Sequence, residues 1–205
     1  VLIVLAFVGI YIVRTVVSVA VQGVSDGSGM QYVKEWAAMF KNPMMWLNIA
    51  ALPINYFFVF IAFFGEEYGW RYYLQPVLQK RFGLREGVII LGVVWGLWHI
   101  PDDLFYYTQT SGIQMIFAQQ ITCISLGIFF AYAYMKTQNI WVPVCLHYLN
   151  NNLIPIISGT FSADVLENQT VSWKDLPVAL VLNGLCFGFF LLADVFKKKE
   201  VQEEE

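Results

Sequence analysis

The sequence predicts an all-α fold, a polytopic transmembrane helical bundle of about six spans around a polar intramembrane cavity. Three observations point there. Hydrophobic side chains make up 58% of the 205 residues and charged ones 13%, against about 45 to 50% and about 25% in soluble domains. The apolar residues gather in charge-free runs: Trp46 to Phe64, Gly87 to Pro101, Ile113 to Met135 and Leu176 to Ala193. Polar groups that do fall inside apolar stretches recur at helical spacing. Disorder, collagen and a secreted disulfide scaffold are excluded by the same composition. A net charge of −3 with no clustered basic face argues against nucleic acid as a partner.

A helix needs about 20 apolar residues to cross a bilayer core, and the pattern supplies six candidates: 1–22, 46–65, 87–107, 113–135, 139–157 and 176–196. The first opens on Val1 without an initiating Met, so either the chain was trimmed or earlier parts are absent, and it lacks the basic leader of a signal peptide. Between the spans lie a Gly/Ser-bearing stretch (Val24 to Met30), an amphipathic stretch (Tyr68 to Arg81) and an acidic loop (Ser162 to Asp175). With no internal repeat, residues 1–205 form a single membrane domain. Cys123, Cys145 and Cys186 each sit in an apolar run without C-x-x-C pairing and read as small buried hydrophobes.

Orientation follows from the Lys/Arg bias of short loops. Lys80, Arg81, Arg85, Lys136 and Lys197 to Lys199 lie at one set of loop ends, against Lys34, Lys41 and Lys174 at the other. The first set is expected to be cytoplasmic, with the carboxyl terminus inside and its lysines near anionic lipid. Asn168 begins a sequon on the opposite side, a triplet common by chance. Tyr72 to Arg81 is expected at the cytoplasmic interface, framing substrate entry.

Ionisable groups within a span cost at least about 2.5 to 3.5 kcal/mol near the helix centre, so each requires a reason. Glu66 and Glu67 follow an apolar run, with Arg71 after them; His99 sits in GVVWGLWHIP; His147 and Asn151 sit in VPVCLHYLNNNL. Arg14 is a further case that snorkelling or pairing explains. The pairs Glu67 and Arg71, Trp95 and His99, and His147 and Asn151 are each spaced i, i+4 and share a helix face. Singly, each has a bland explanation as a core hydrogen bond or a helical ion pair. Together, on three spans, they predict one polar cavity lined by Glu66, His99, His147 and Asn151. At 1.5 Å per residue, His147 lies roughly 12 Å from the Lys136 to Asn139 loop, and Glu66 and His99 roughly 18 to 21 Å from the Lys80 to Glu86 turn. A bend at Gly65, Gly69 or Pro76 would bring Glu66 shallower, which predicts access from the cytoplasmic side.

These motifs, Glu66-Glu67-x-x-x-Arg71, Trp95-x-x-x-His99 and His147-x-x-x-Asn151, resemble in order and spacing those of the CAAX protease and bacteriocin-processing (CPBP) family of intramembrane endopeptidases. The resemblance covers about residues 60–155, and EEYGWRYYLQPVL and WGLWHIP look closest to prokaryotic members. Trp95 stands where the family commonly has Phe, Tyr72 where Gly often follows the Arg, and six spans stand against the usual eight. The resemblance implies that Glu66 activates water with help from His99, that His147 and Asn151 hold the oxyanion, and that Glu67 and Arg71 support the cluster. It implies a membrane-associated peptide or protein as substrate, a bacterial cytoplasmic membrane as location, and no metal cofactor.

Amide hydrolysis needs a base for water and donors for the developing oxyanion, and spacing alone leaves open which glutamate is the base. H-E-x-x-H and G-x-S-x-G are absent, and Asp102, Asp103 and Asp194 do not form a two-span aspartate pair. Zinc is the alternative cofactor, held by Glu66, His99 and His147 with an open position for water. The alternative function is a non-catalytic one, bacteriocin self-immunity or a membrane receptor. A proton-coupled transporter is a third, against which the chain lacks inverted halves with paired broken helices.

Overall fold

The computed structural model describes residues 1–27, 29–159 and 162–197, and among them the chain is helical without strands. In order come α1 (Leu2–Asp26), α2 (Gly29–Met39), α3 (Pro43–Glu67), a π-helical segment (Tyr68–Leu74), α4 (Gln75–Phe82), α5 (Leu84–Trp98), α6 (Ile100–Phe105), α7 (Gly112–Thr137), α8 (Trp141–Ser158), α9 (Ala163–Glu167) and α10 (Asp175–Cys186), with 3₁₀ turns at Gly188–Leu192 and Asp194–Phe196. Local chemistry sets the boundaries. Asn42 starts α3 by accepting from the Met44 amide at 2.9 Å, with Pro43 at the first helical position where its missing N–H costs nothing. Gln138, in the left-handed region at φ 51°, ends α7 and turns the chain into α8.

Helix α7 is the central post. Its stretch from Ser125 to Ala131 is buried, and Phe129 and Phe130 pack with Phe7 of α1, Trp95 of α5 and Phe187. Helix α5 crosses α7 closely because Gly92 has no side chain: a Cβ there would lie 2.6 Å from the Ile124 Cα. Small residues admit such backbone approach in membrane bundles, where dispersion replaces the hydrophobic effect between helices. By contrast, Ile54, Phe57, Phe58 and Ile61 of α3 are exposed large hydrophobics, an apolar face suited to lipid.

Among the described residues four helical stretches are long and apolar enough to span a membrane: Leu2–Val21, Pro43–Phe82, Leu84–Phe105 and Gly112–Thr137. Helix α8 occupies the fifth expected position, its His147 and Asn150 to Asn152 lowering its hydropathy. The sixth expectation, an unbroken span over 176–196, is corrected. The α-helix stops after 12 residues at Cys186, closed by the Phe187 amide on the Asn183 carbonyl, and the chain continues in 3₁₀ turns past Gly188. Glycine at 184 and 188 weakens helix propensity where a span would have to continue. The amphipathic stretch 68–81 prolongs α3, giving 40 continuous residues, about 60 Å of helix against a core of about 30 Å. Helix α2, on the far side of the Gly/Ser stretch, was not foreseen.

The basic loop ends gather. Gln79 Nε2 of α4 donates to Met135 Sδ of α7 at 3.2 Å, and Arg85 shares a surface hollow with Phe196 and Lys197. Lys198 and Lys199 lie outside the described residues. At the other end, Trp36 Nε1 donates to the Ile157 carbonyl (2.9 Å), the Gln169 amide to the Tyr107 carbonyl (2.9 Å), and the Val171 amide to Ser111 Oγ (3.0 Å). The first ties α2 to α8, and the other two fasten the α6–α7 loop to the segment before α10.

Candidate active site

The site forms where the end of α3, the end of α5 and the middle of α8 meet against α7. Glu67 is its fixed point. Its carboxylate is fully buried and both oxygens are engaged: Oε2 accepts from Arg71 Nε and Oε1 from His147 Nδ1, each at 2.9 Å. Arg71 is equally buried, its guanidinium carbon 5.4 Å from the centre of the Trp95 ring and 5.5 Å from that of Phe130. The Glu67 carboxylate at Nε and two aromatic faces replace part of its hydration, while Nη1 and Nη2 are buried without a hydrogen-bond partner. Arg71 lies in the π-helical segment that begins directly after Glu67, a wide turn that often accompanies functional sites.

His99 caps α5, and its Nδ1 donates to the Trp95 carbonyl at 2.9 Å. That bond leaves Nε2 as the acceptor of the neutral ring. His147 is arranged in the same way, with Nδ1 donating to Glu67 and Nε2 left unengaged; Nε2 is a second donor only when the ring carries both protons. Trp95 packs edge-on against both imidazoles, with ring centres at 5.8 Å from His99 and 5.4 Å from His147.

His99, His147 and Asn151 line one cavity of about 390 Å³, together with Asn150, Cys123, Tyr107 and Gln169 among others. Glu66 does not line it. Glu66 borders a neighbouring apolar groove of about 400 Å³ with Gly65, Gly69, Trp70, Tyr73 and Trp98. The expectation of one cavity for all four is therefore corrected: three share it, and Glu66 stands beside the wall formed by Trp98 and His99. One carboxylate oxygen of Glu66, Oε2, is shielded from solvent and has no hydrogen-bond partner. Tyr106, Tyr107, Leu166 and Gln169, from the end opposite the basic loops, also line the cavity, because the polar face of α8 runs on from His147 through Asn151 and away from the basic end.

Three side chains at the site were not among the expected site residues. Cys123, read as a small buried hydrophobe, is buried, and its Sγ lies 3.8 Å from His99 Nδ1. Asp103, one turn after His99, is fully buried with neither carboxylate oxygen partnered. Asn150 contacts Asn151. Among the described residues no three His, Cys, Asp or Glu side chains gather in a metal-holding group. Of the three side chains weighed for zinc, His99 and His147 line one cavity with Nδ1 of each engaged, and Glu66 borders a different hollow.

Comparison with known proteins adds the decisive observation: the family model for type II CAAX prenyl endopeptidases, Rce1-like, matches residues 48–153. The chain belongs to the Rce1-like CAAX prenyl endopeptidase family. The match takes in all three motifs. CAAX prenyl protease 2 of Methanococcus maripaludis is 27% identical over 125 residues, which are 57% of this chain and 45% of that protein. The chain thus spans less than half of the length of the curated relative it matches. No solved structure matches it. Helices α1, α2, α9 and α10 lie outside the Rce1-like match, yet α1 contributes to the packing behind the site.

Proposed function

We propose that this protein is an intramembrane endopeptidase that hydrolyses a peptide bond of a membrane-associated protein or peptide, with Glu66 as the base that activates water. The observation that carries the assignment is the contrast between the two adjacent glutamates. Glu67 has both oxygens committed to Arg71 and His147, while Glu66 keeps a shielded oxygen free for a water. His99 Nε2 is free to share that water's proton. The scissile carbonyl would sit where groove and cavity meet, at the Trp98–His99 step. Hydroxide adds to the carbonyl carbon as Glu66 takes the proton; the oxyanion meets donors from protonated His147 Nε2 and Asn151 Nδ2; collapse breaks the C–N bond, and Glu66 returns its proton to the leaving amine. Oxyanion donors of this kind contribute about 10²- to 10³-fold each. Arg71 holds the Glu67 carboxylate, and Glu67 in turn positions His147.

The name of the methanococcal relative suggests a prenylated CAAX sequence as the substrate class. The test is incubation of the purified protein in lipid vesicles with two peptides ending in the same CAAX sequence, one farnesylated on the cysteine and one not. Mass spectrometry should find the carboxyl-terminal tripeptide released from the farnesylated peptide. Folded protein that leaves both intact would overturn the proposal. The rate is expected to be unchanged in excess chelator, since the water is activated by Glu66 and His99; loss of activity in chelator, restored by zinc, would return the metal reading. We further propose that the basic end faces the cytoplasm. Lys80→Cys should then resist a membrane-impermeant maleimide in intact cells and react in inverted vesicles, and the reverse pattern would invert the topology.

A further inference from the structure

We infer that Tyr11 and Asn150 are positioning residues that fix which end of the Asn151 amide faces the cavity, an inference that rests on the oxyanion role proposed for Asn151. An asparagine side chain presents a donor end and an acceptor end of nearly equal size, and only its neighbours decide their directions. Here the neighbours form a polarised chain. The Tyr11 hydroxyl donates to Asn150 Oδ1, and Asn150 Nδ2 donates to Asn151 Oδ1 at 2.8 Å. With its oxygen occupied, Asn151 has the two N–H bonds of Nδ2 left for the cavity it lines with His147. An oxyanion requires donors, so this polarity is the productive one. The opposite polarity would present a carbonyl oxygen to a developing negative charge.

Tyr11 is well placed to hold the first link. It is buried on α1, with ring centres of Phe7 and Phe187 each at 5.0 Å, so its hydroxyl is held toward α8 with little freedom. Only the second and third members fall within the Rce1-like match at 48–153; Tyr11 lies outside it. The relay therefore gives α1 a part in the reaction beyond packing.

A merely structural contact between α1 and α8 would affect stability and act independently of Asn151. The relay acts only through Asn151, which a mutant cycle on kcat separates. With the farnesylated CAAX peptide as probe, Tyr11→Phe and Asn150→Leu should each lower kcat about 3- to 10-fold, the range of one net hydrogen bond, with KM unchanged. The double variant should be no slower than the slower single variant. In an Asn151→Ala background, itself about 10²- to 10³-fold slower, Tyr11→Phe should change nothing further. Unfolding temperatures measured on the same samples normalise each rate to folded protein. If Tyr11→Phe leaves kcat intact, or slows the Asn151→Ala background as much as the parent, the relay is wrong while the oxyanion role stands. If folded Asn151→Ala turns over normally, the oxyanion role itself fails, and folded parent that cleaves no peptide removes both.

Discussion

Replacing Glu66 by glutamine is expected to lower kcat for the farnesylated peptide by about 10²- to 10⁴-fold, the range of a lost general base, without lowering the unfolding temperature. The amide keeps the shape of the carboxyl group but cannot take a proton from water. Stability should hold because among the described residues Glu66 has no ion-pair partner and one of its oxygens is already without a hydrogen bond, so no buried charge is left unpaired by the change. KM should move little, since a water-activating group acts mainly in the transition state. Turnover within about tenfold of the parent would transfer the base to another residue, and a large fall in unfolding temperature would make Glu66 structural.

Arg71→Leu should have the largest effect on stability. It removes the cation from a carboxylate that has no exposure to water, leaving His147 as the remaining partner of Glu67. Breaking a buried pair from one side typically costs about 3 to 5 kcal/mol, because the other charge stays behind. Thermal unfolding in detergent should register the loss, and the double variant Arg71→Leu, Glu67→Gln should recover part of it by removing the orphaned charge. No recovery in the double variant would mean that Arg71 stabilises the fold through its contacts with Trp95 and Phe130 instead.

The polar residues of the site were legible in the sequence because the bilayer makes them conspicuous. An ionisable group in an apolar run has few bland explanations, and i, i+4 spacing tells which groups share a face. Thus the Glu67 to Arg71 pair and the shared face of His147 and Asn151 could be read directly. What spacing cannot give is rotation of one helix about its axis relative to another. Glu66 and Glu67 are adjacent, so they point about 100° apart, and only packing decides which one meets His147 and which one faces the groove. The π-helical turn after Glu67 depends on tertiary packing and leaves no periodic trace. Contacts across the bundle, Cys123 with His99 and Tyr11 with Asn150, join residues far apart in sequence with no motif to announce them. The last span was misread because hydropathy continues through Gly188 to Leu192 while helix propensity does not, and apolar composition alone does not distinguish an α-helix from 3₁₀ turns.

The adjacent glutamates offer the most direct test. Glu66→Gln and Glu67→Gln should be measured side by side in the same vesicles, on the same farnesylated peptide, as turnover per folded molecule together with unfolding temperature. The assignment predicts that Glu66→Gln is as stable as the parent and nearly silent, whereas Glu67→Gln unfolds at a lower temperature and keeps a measurable part of its turnover. A stable but silent Glu67→Gln beside an active Glu66→Gln would contradict it.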